Sequence, residues 1–348
     1  MKVLCIGHSS WDITVPADSY PTENTKYRFN EKVAAGGGPA GNAAYLLGKW
    51  GVDTVIATVV GSDDFGTRIK KEFQSVGVNT DYIETSYDKD TSLSFILINK
   101  NNGNRTVFNV SDHRPALKKN SYDFTPDIIL SDGNDYAATQ NAINAFPEAL
   151  SVIDAGRVTD ELLELCKYMK YIVCSKGFAE TVTGSKFDFE NPNSLVDIYM
   201  KLQNKYPYAN LVITLEEHGC LYKNGNEVKI MNGVKIEAKD TTGAGDIFHG
   251  AFVYGLASRW DIEKIVMFAN IAAGISVGKV GSRFSIPTLS EVMDYYTQRT
   301  GVTYTEEEVE QAKQVEIKPQ GYVTQNDEDN SPIFAENEAN NNEQNPQA

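Results

Sequence analysis

Asp240-Thr241-Thr242-Gly243-Ala244-Gly245-Asp246-Ile247-Phe248-His249-Gly250-Ala251-Phe252 runs from one carboxylate, through a turn of small residues, to a second carboxylate and on into an apolar run. Gly243, Ala244 and Gly245 carry almost no bulk, so a ligand can approach their backbone. The pattern predicts a helix from Ile247 to Leu256. The first N–H groups of such a helix lack intrahelical acceptors, and its dipole is positive at that end. An anion suits the place, with Asp246 at its edge. A carboxylate beside an anion hole can take a proton from a hydroxyl while charge builds on a nearby phosphoryl group. The same residues would also make a plain capped helix after a glycine turn, with Asp246 as its dipole partner. The rest of the chain has to decide.

Upstream of this stretch, apolar runs and turn signals alternate. Expected strands are Val3–Gly7, Val55–Val60, Asp127–Leu130, Leu150–Asp154, Tyr171–Cys174, Leu211–Leu215 and Val234–Ala238. Expected helices are Asn42–Gly48, one ending at Val76, Gln140–Phe146, Thr159–Met169, Phe178–Thr183 and Leu195–Lys205. Downstream, Glu263–Val277 and Thr288–Arg299 read as helices. This order predicts an α/β fold of three layers, with a mostly parallel central sheet and helices on both faces. Residues 13–35, with Pro16 and Pro21, and the hairpin Leu93–Ile98/Arg105–Val110 predict a small separate β-sheet. Asp12 follows the first strand at its carboxyl end, where open parallel sheets bind ligands.

Composition excludes several classes. The 348 residues carry a net charge of −15, which opposes nonspecific nucleic-acid binding. Residues 301–348 hold −9 of that charge, and from Gln325 onward they are rich in Asn, Glu and Gln, which predicts a disordered tail. No apolar run approaches the roughly 20 residues of a membrane span. The start is too short in apolar residues for a secretory segment, so a cytoplasmic protein is expected. Four scattered cysteines form no CxxC pair and read as buried thiols. Gly36, Gly38 and Gly41 satisfy G-x-G-x-x-G, but this glycine run does not follow the first strand. Asp53 also comes too soon to be the ribose acid, which disfavours a nicotinamide oxidoreductase. No P-loop or G-x-S-x-G elbow occurs, and the four histidines lack zinc spacing. Asp64-Phe65-Gly66 has no kinase catalytic loop to accompany it. His249, one turn into the helix after Asp246, reads as a packing or supporting residue.

Two signatures in order now resemble the ribokinase-like (PfkB) carbohydrate kinase family across nearly all of residues 1–300. They are Gly37-Gly38-Pro39-Ala40-Gly41-Asn42-Ala43-Ala44 and Asp240-Thr241-Thr242-Gly243-Ala244-Gly245-Asp246, supported by Gly61–Gly66, Phe268–Ala273 and Ser285-Ile286-Pro287. The resemblance implies an ATP-dependent sugar kinase domain over 1–300, followed by an acidic extension over 301–348. Asp246 would be the catalytic base, and Gly243, Ala244 and Gly245 would present N–H groups to the transferring phosphoryl. Asp12, Gly37, Gly38 and Asn42 match positions that hold sugar hydroxyls. Ser175, Thr214, Gly219, Thr242 and Asn270 fall on the nucleotide side. Mg²⁺ would accompany ATP, and Asp240, Thr242 and Ser285 would supply oxygens for a monovalent cation such as K⁺. The small sheet (about 13–35 and 90–112) would be a lid, pairing across a homodimer.

Two departures from the family pattern stand out. A common N-x-x-E reads Ser175-Lys176-Gly177-Phe178 here, so no Mg²⁺ ligand is assigned there. Glu216 replaces a glycine of the nucleotide loop, which puts carboxylates near phosphates and opens the donor preference. Ribose or fructose is the expected substrate. Arg105, expected in the lid, would read a carboxylate or phosphate if the substrate carried one, which keeps acidic sugars and sugar phosphates open. A nucleoside remains a further alternative within the family, and a catalytically silent sugar- or nucleotide-binding protein one outside it.

Overall fold

The computed structural model describes residues 1–110, 116–119, 121–305, 308–310, 312 and, as backbone alone, 322–325. The chain opens with β1 (Lys2–Ile6), β2 (Ser10–Ala17) and β3 (Glu31–Gly37). α1 (Pro39–Lys49), β4 (Asp53–Gly61), α2 (Asp64–Ser75) and β5 (Ile83–Ser86) follow. β6 (Leu93–Asn99) and β7 (Arg105–Val110) form the expected hairpin. Strands and helices then alternate through β8 (Ile128–Ser131), α3 (Tyr136–Ala145), β9 (Leu150–Ala155), α4 (Asp160–Cys166), β10 (Tyr171–Ser175) and α5 (Lys176–Thr183). Next come α6 (Pro192–Lys205), β11 (Asn210–Thr214), β12 (Cys220–Asn224) and β13 (Glu227–Met231). The last elements are α7 (Ala244–Ala257), α8 (Ile262–Val277), α9 (Leu289–Thr300) and β14 (Tyr322–Gln325).

Nine strands form the main sheet in the order β13-β12-β11-β10-β9-β8-β1-β4-β5. Pairing is parallel from β11 to β5, and at the other edge β12 pairs antiparallel with both β11 and β13. Side chains alternate across it, as a period of two requires. Val3 and Cys5 face the core under α1, α2, α7, α8 and α9, while Leu4 and Ile6 face the core under α3. Ile172 and Cys174 join the core beneath α4, α5 and α6. These are the three layers expected.

The second sheet, β14-β3-β2-β6-β7, is the predicted small one. Asp12 lies within β2 of this sheet, and not in the loop after β1. β2 and β6 pair in parallel, so the sheet is not wholly antiparallel. Its outer strand β14 comes from the C-terminal extension. The tail expected to be disordered lies, beyond Gln325, outside the described residues.

Three local expectations need correction. α1 begins at Pro39, three residues before Asn42, because proline is pre-set for the first helical position and Gly38 takes φ 84° ahead of it. α7 begins at Ala244 and not Ile247: Gly243 adopts φ 77°, and the Ile247 N–H already reaches Gly243 O at 2.9 Å. Val234–Ala238 is no strand. Val234 and Ile236 pack instead on Gly274 of α8 and on Gly278 at its end, and among the described residues no strand lies alongside to complete a ladder.

Candidate active site

Because α7 starts at Ala244, the small-residue turn is itself the open end of the helix. A Cβ added at Gly245 would meet nothing within 4 Å, which leaves room for a ligand against the backbone. Asp246 lies in the first turn, half-buried. The Asn42 Nδ2 amide donates to Asp246 Oδ2 at 2.7 Å. Asn42 Oδ1 is buried and has no hydrogen-bond partner among the described residues. Burial pushes the Asp246 carboxyl up to about 7, and the charge of Asp154 adds to the rise. The Asn42 hydrogen bond, His249 and Arg105 pull the other way.

Asp12 is buried under the glycine turn at the end of β3, and Ser10 Oγ donates to its Oδ1 at 2.8 Å. A Cβ at Gly37 would lie 2.0 Å from Asp12 Oδ2, and one at Gly38 would lie 2.5 Å from His8 O. Only glycine lets the two segments close on each other. Burial raises the Asp12 carboxyl, while the Ser10 and Ser94 hydroxyls, Arg283 and Ser282 oppose the rise. Arg105, at the start of β7, reaches the other signature: its Nη1 donates to Thr241 Oγ1 at 2.6 Å. Asp12, Gly37, Gly38, Asn42, Arg105, Gly243, Ala244, Gly245 and Asp246 are thereby brought into one neighbourhood.

Of the residues expected on the nucleotide side, Ser175 and Thr214 end neighbouring strands. Ser175 and Thr214 are direct register partners in β10 and β11. Ser175 Oγ accepts from Phe178 N at 3.1 Å and donates to Gly156 O at 3.2 Å, so it is occupied as a helix cap. Gly219 takes φ 94°, and any Cβ there would strike Met231 O. Asn270 on α8 reaches Cys220 Sγ at 3.3 Å and Met231 O at 3.5 Å, beside the same loop. Glu216 holds φ 56° in this loop, and its carboxylate is paired with Lys176 Nζ at 2.5 Å. Asp240 is buried and accepts from Thr242 N and Gly281 N, each at 2.8 Å. Ser285 Oγ donates to Ser282 O at 2.8 Å, while Thr242 Oγ1 is buried with no partner among the described residues.

Several charged neighbours were not singled out from sequence. Asp154 is the penultimate residue of β9, its charge acts on Asp246, and its Oδ1 lies 3.4 Å from His249 Nε2. Its signal was the one used for Asp12, an acid at the carboxyl end of a parallel strand. Lys176 was read only as part of a degenerate motif. Buried Arg283 pairs with Glu72 at 2.5 Å, and Glu72 also accepts from Gly36 N at 2.9 Å, under the glycine turn. Nothing local in the sequence marks that pair, whose members are 211 residues apart.

A family model described as pfkB family carbohydrate kinase matches residues 1–289. A ribokinase of Bacillus subtilis (strain 168) is 27% identical over 308 residues, covering 84% of this chain and 98% of the relative. The crystal structure of a ribokinase from Cryptococcus neoformans var. grubii serotype A, in complex with ADP, superposes with a TM-score of 0.73 at 22% identity. It covers 84% of this chain and 99% of its own. A ribokinase of Arabidopsis thaliana complexed with ribose and ATP gives a TM-score of 0.70 at 20% identity, covering 84% of this chain and 97% of its own. The chain belongs to the pfkB family of carbohydrate kinases.

Proposed function

We propose that this ATP-dependent sugar kinase uses Asp246 as the base that takes the proton from the acceptor hydroxyl. As that oxygen forms its bond to the γ-phosphorus, the bond from phosphorus to the ADP oxygen breaks. The N–H groups at Gly243, Ala244 and Gly245 hold the charge that develops. The observation that carries the reading is the 2.7 Å hydrogen bond from Asn42 to Asp246, which joins the sugar-side and phosphoryl-side signatures. Asn42 Oδ1, a buried acceptor lacking a donor, suits a sugar hydroxyl beside the base. Asp12 and the Gly37–Gly38 backbone take further hydroxyls. Ser175, Thr214, Gly219, Thr242 and Asn270 flank the nucleotide.

The acceptor we favour is an unphosphorylated sugar, ribose or fructose. Similarity to ribokinases supports ribose. Arg105 is engaged with Thr241 on the phosphoryl side, which weakens a role in reading an acidic sugar. Trp11 is buried and stacked on Phe65, so its ring is not offered to a nucleoside base. Mg²⁺ fits as a passenger of the ATP phosphates, where it neutralises charge. Among the described residues no three His, Cys, Asp or Glu side chains gather to hold a metal. A monovalent cation would be held by Asp240, Thr242 and Ser285, and the orphaned Thr242 hydroxyl supports that assignment.

No helix among the described residues is long and apolar enough to cross a membrane, and we place the enzyme in the cytoplasm. A homodimer through the lid is also part of the proposal. The β3 edge is already taken by β14, and of the two outer strands β7 carries exposed Val107, Phe108 and Val110 and is the edge we propose to be covered. Coupled ADP release across a panel of sugars, run beside Asp246→Asn, tests the mechanism. Sugar-dependent ADP release by the wild type and its loss in Asp246→Asn are expected. Full activity in that variant would remove the proposal.

A further inference from the structure

Behind the anion hole lies a charge pair that the mechanism above does not use. His249 is buried on α7, one turn beyond Gly245. Its Nδ1 is 2.6 Å from Gly245 O, and its Nε2 is 3.0 Å from Val173 O on β10. Carbonyl oxygens only accept, so each ring nitrogen is placed to donate, and the two can do so together only in the doubly protonated ring. The carboxylate of Asp154, 3.4 Å from Nε2, supplies the opposite charge.

The Gly245 carbonyl shares its peptide plane with the Asp246 N–H, and in a trans peptide the two point in opposite directions. A cation bonded to that oxygen from within therefore turns the Asp246 N–H outward, at the helix end where no intrahelical acceptor exists. It also polarises the peptide, making the N–H a stronger donor. The charged groups around this centre are few. Asp154 faces Asp246 from β9, His249 faces it from its own helix, and Arg105 faces it from the lid. Asp132 and Arg157 face Asp154, and the buried Cys174 thiol adjoins it.

We propose that His249, as an imidazolium paired with Asp154, is a positioning residue for phosphoryl transfer. Acting through the Gly245–Asp246 peptide, it aims and strengthens the Asp246 N–H toward the transferring group, and together with Asp154 it sets the charge felt by the Asp246 carboxylate. This rests on the reading of Asp246 as base. The two partners act on that carboxylate with opposite signs: Asp154 holds its proton on, and His249 helps it leave.

The test is the pH profile of kcat/KM for wild type, His249→Asn, Asp154→Asn and the double variant, each checked for a wild-type-like fold by circular dichroism. His249→Asn should lower kcat about ten- to a hundredfold, less than loss of a whole anion-hole donor, with sugar KM nearly unchanged. Its acid limb should move to higher pH, that of Asp154→Asn to lower pH, and the double variant should return toward the wild type. Unshifted limbs, or limbs moving in the same direction, would overturn the proposal. Asp246→Asn run alongside separates the two readings: if it is dead while the limbs stay fixed, only the His249 role fails. If it is active, the base assignment fails first.

Discussion

Asn42 and Asp246 are joined by a 2.7 Å hydrogen bond across 204 residues of sequence. One belongs to the first turns of α1 and the other to the first turn of α7, so two helix starts, packed side by side, present a paired amide and carboxylate at their mouths. The amide holds one carboxylate oxygen and fixes the other's direction.

Removing that amide should be felt in catalysis. Asn42→Ala is expected to lower kcat/KM for the sugar about ten- to a hundredfold, the loss of one hydrogen bond to a charged group. Since the amide favours the ionised base, the acid limb should also move to higher pH. Steady-state kinetics between pH 5 and 9 would detect both, and an unmoved limb would separate Asn42 from the base.

Asp246 should cost stability at neutral pH. Its folded value is raised from 3.8 to about 7, so the native state binds the proton more tightly than the unfolded chain. The stability it contributes is complete below the unfolded value and is lost as pH rises through the folded one. Asp246→Asn should therefore raise Tm by a few degrees at pH 8 and leave it unchanged near pH 4. Thermal melts at the two pH values decide it, and an equal rise at both would argue for a different cause.

Lys176 pairs with Glu216, which holds φ 56° in the loop proposed to flank the nucleotide. On that proposal, Lys176→Glu would leave Glu216 without its counter-charge beside the phosphates. KM for ATP should rise about tenfold, with the sugar KM little changed. Adding Glu216→Gly should recover much of the loss, because it removes one carboxylate and relieves a left-handed residue. Failure of that rescue would place the pair outside phosphate binding.

Glu72 supports the glycine turn at the end of β3 from below, bonded to Arg283 and to the Gly36 N–H. The Arg283 guanidinium also lies over the Phe73 and Tyr45 rings, 4.5 and 5.0 Å from their centroids. Glu72→Ala would strand a buried guanidinium, and urea unfolding should show a loss of about 3 kcal/mol. A loss below about 1 kcal/mol, as for an exposed pair, would mean that water reaches the arginine.

For assembly, Phe108 lies half-exposed on the bare edge strand of the lid. Phe108→Lys should convert a lid-paired dimer to monomer, measured by light scattering behind size-exclusion chromatography. An unchanged mass would point to another interface.

The sequence by itself determined what is local: which runs alternate, where small residues open a helix, and that two glycine-rich signatures accompany two acids. Backbone dihedrals and helix-end donors act over a few residues, so Gly243–Asp246 and Gly37–Asn42 could be read without knowing their neighbours. Even there, the helix starts needed the structure, because Pro39 and Ala244 had been assigned to the preceding turns. The tertiary structure alone decided the pairings across the chain. It set Asp154 against His249, Lys176 against Glu216, and Glu72 against Arg283. It denied Val234–Ala238 a ladder and put a C-terminal strand on the lid. A buried charge takes its partner from whichever element packs over it, and a strand exists only beside another. Neither is a property of the residues next to it in sequence.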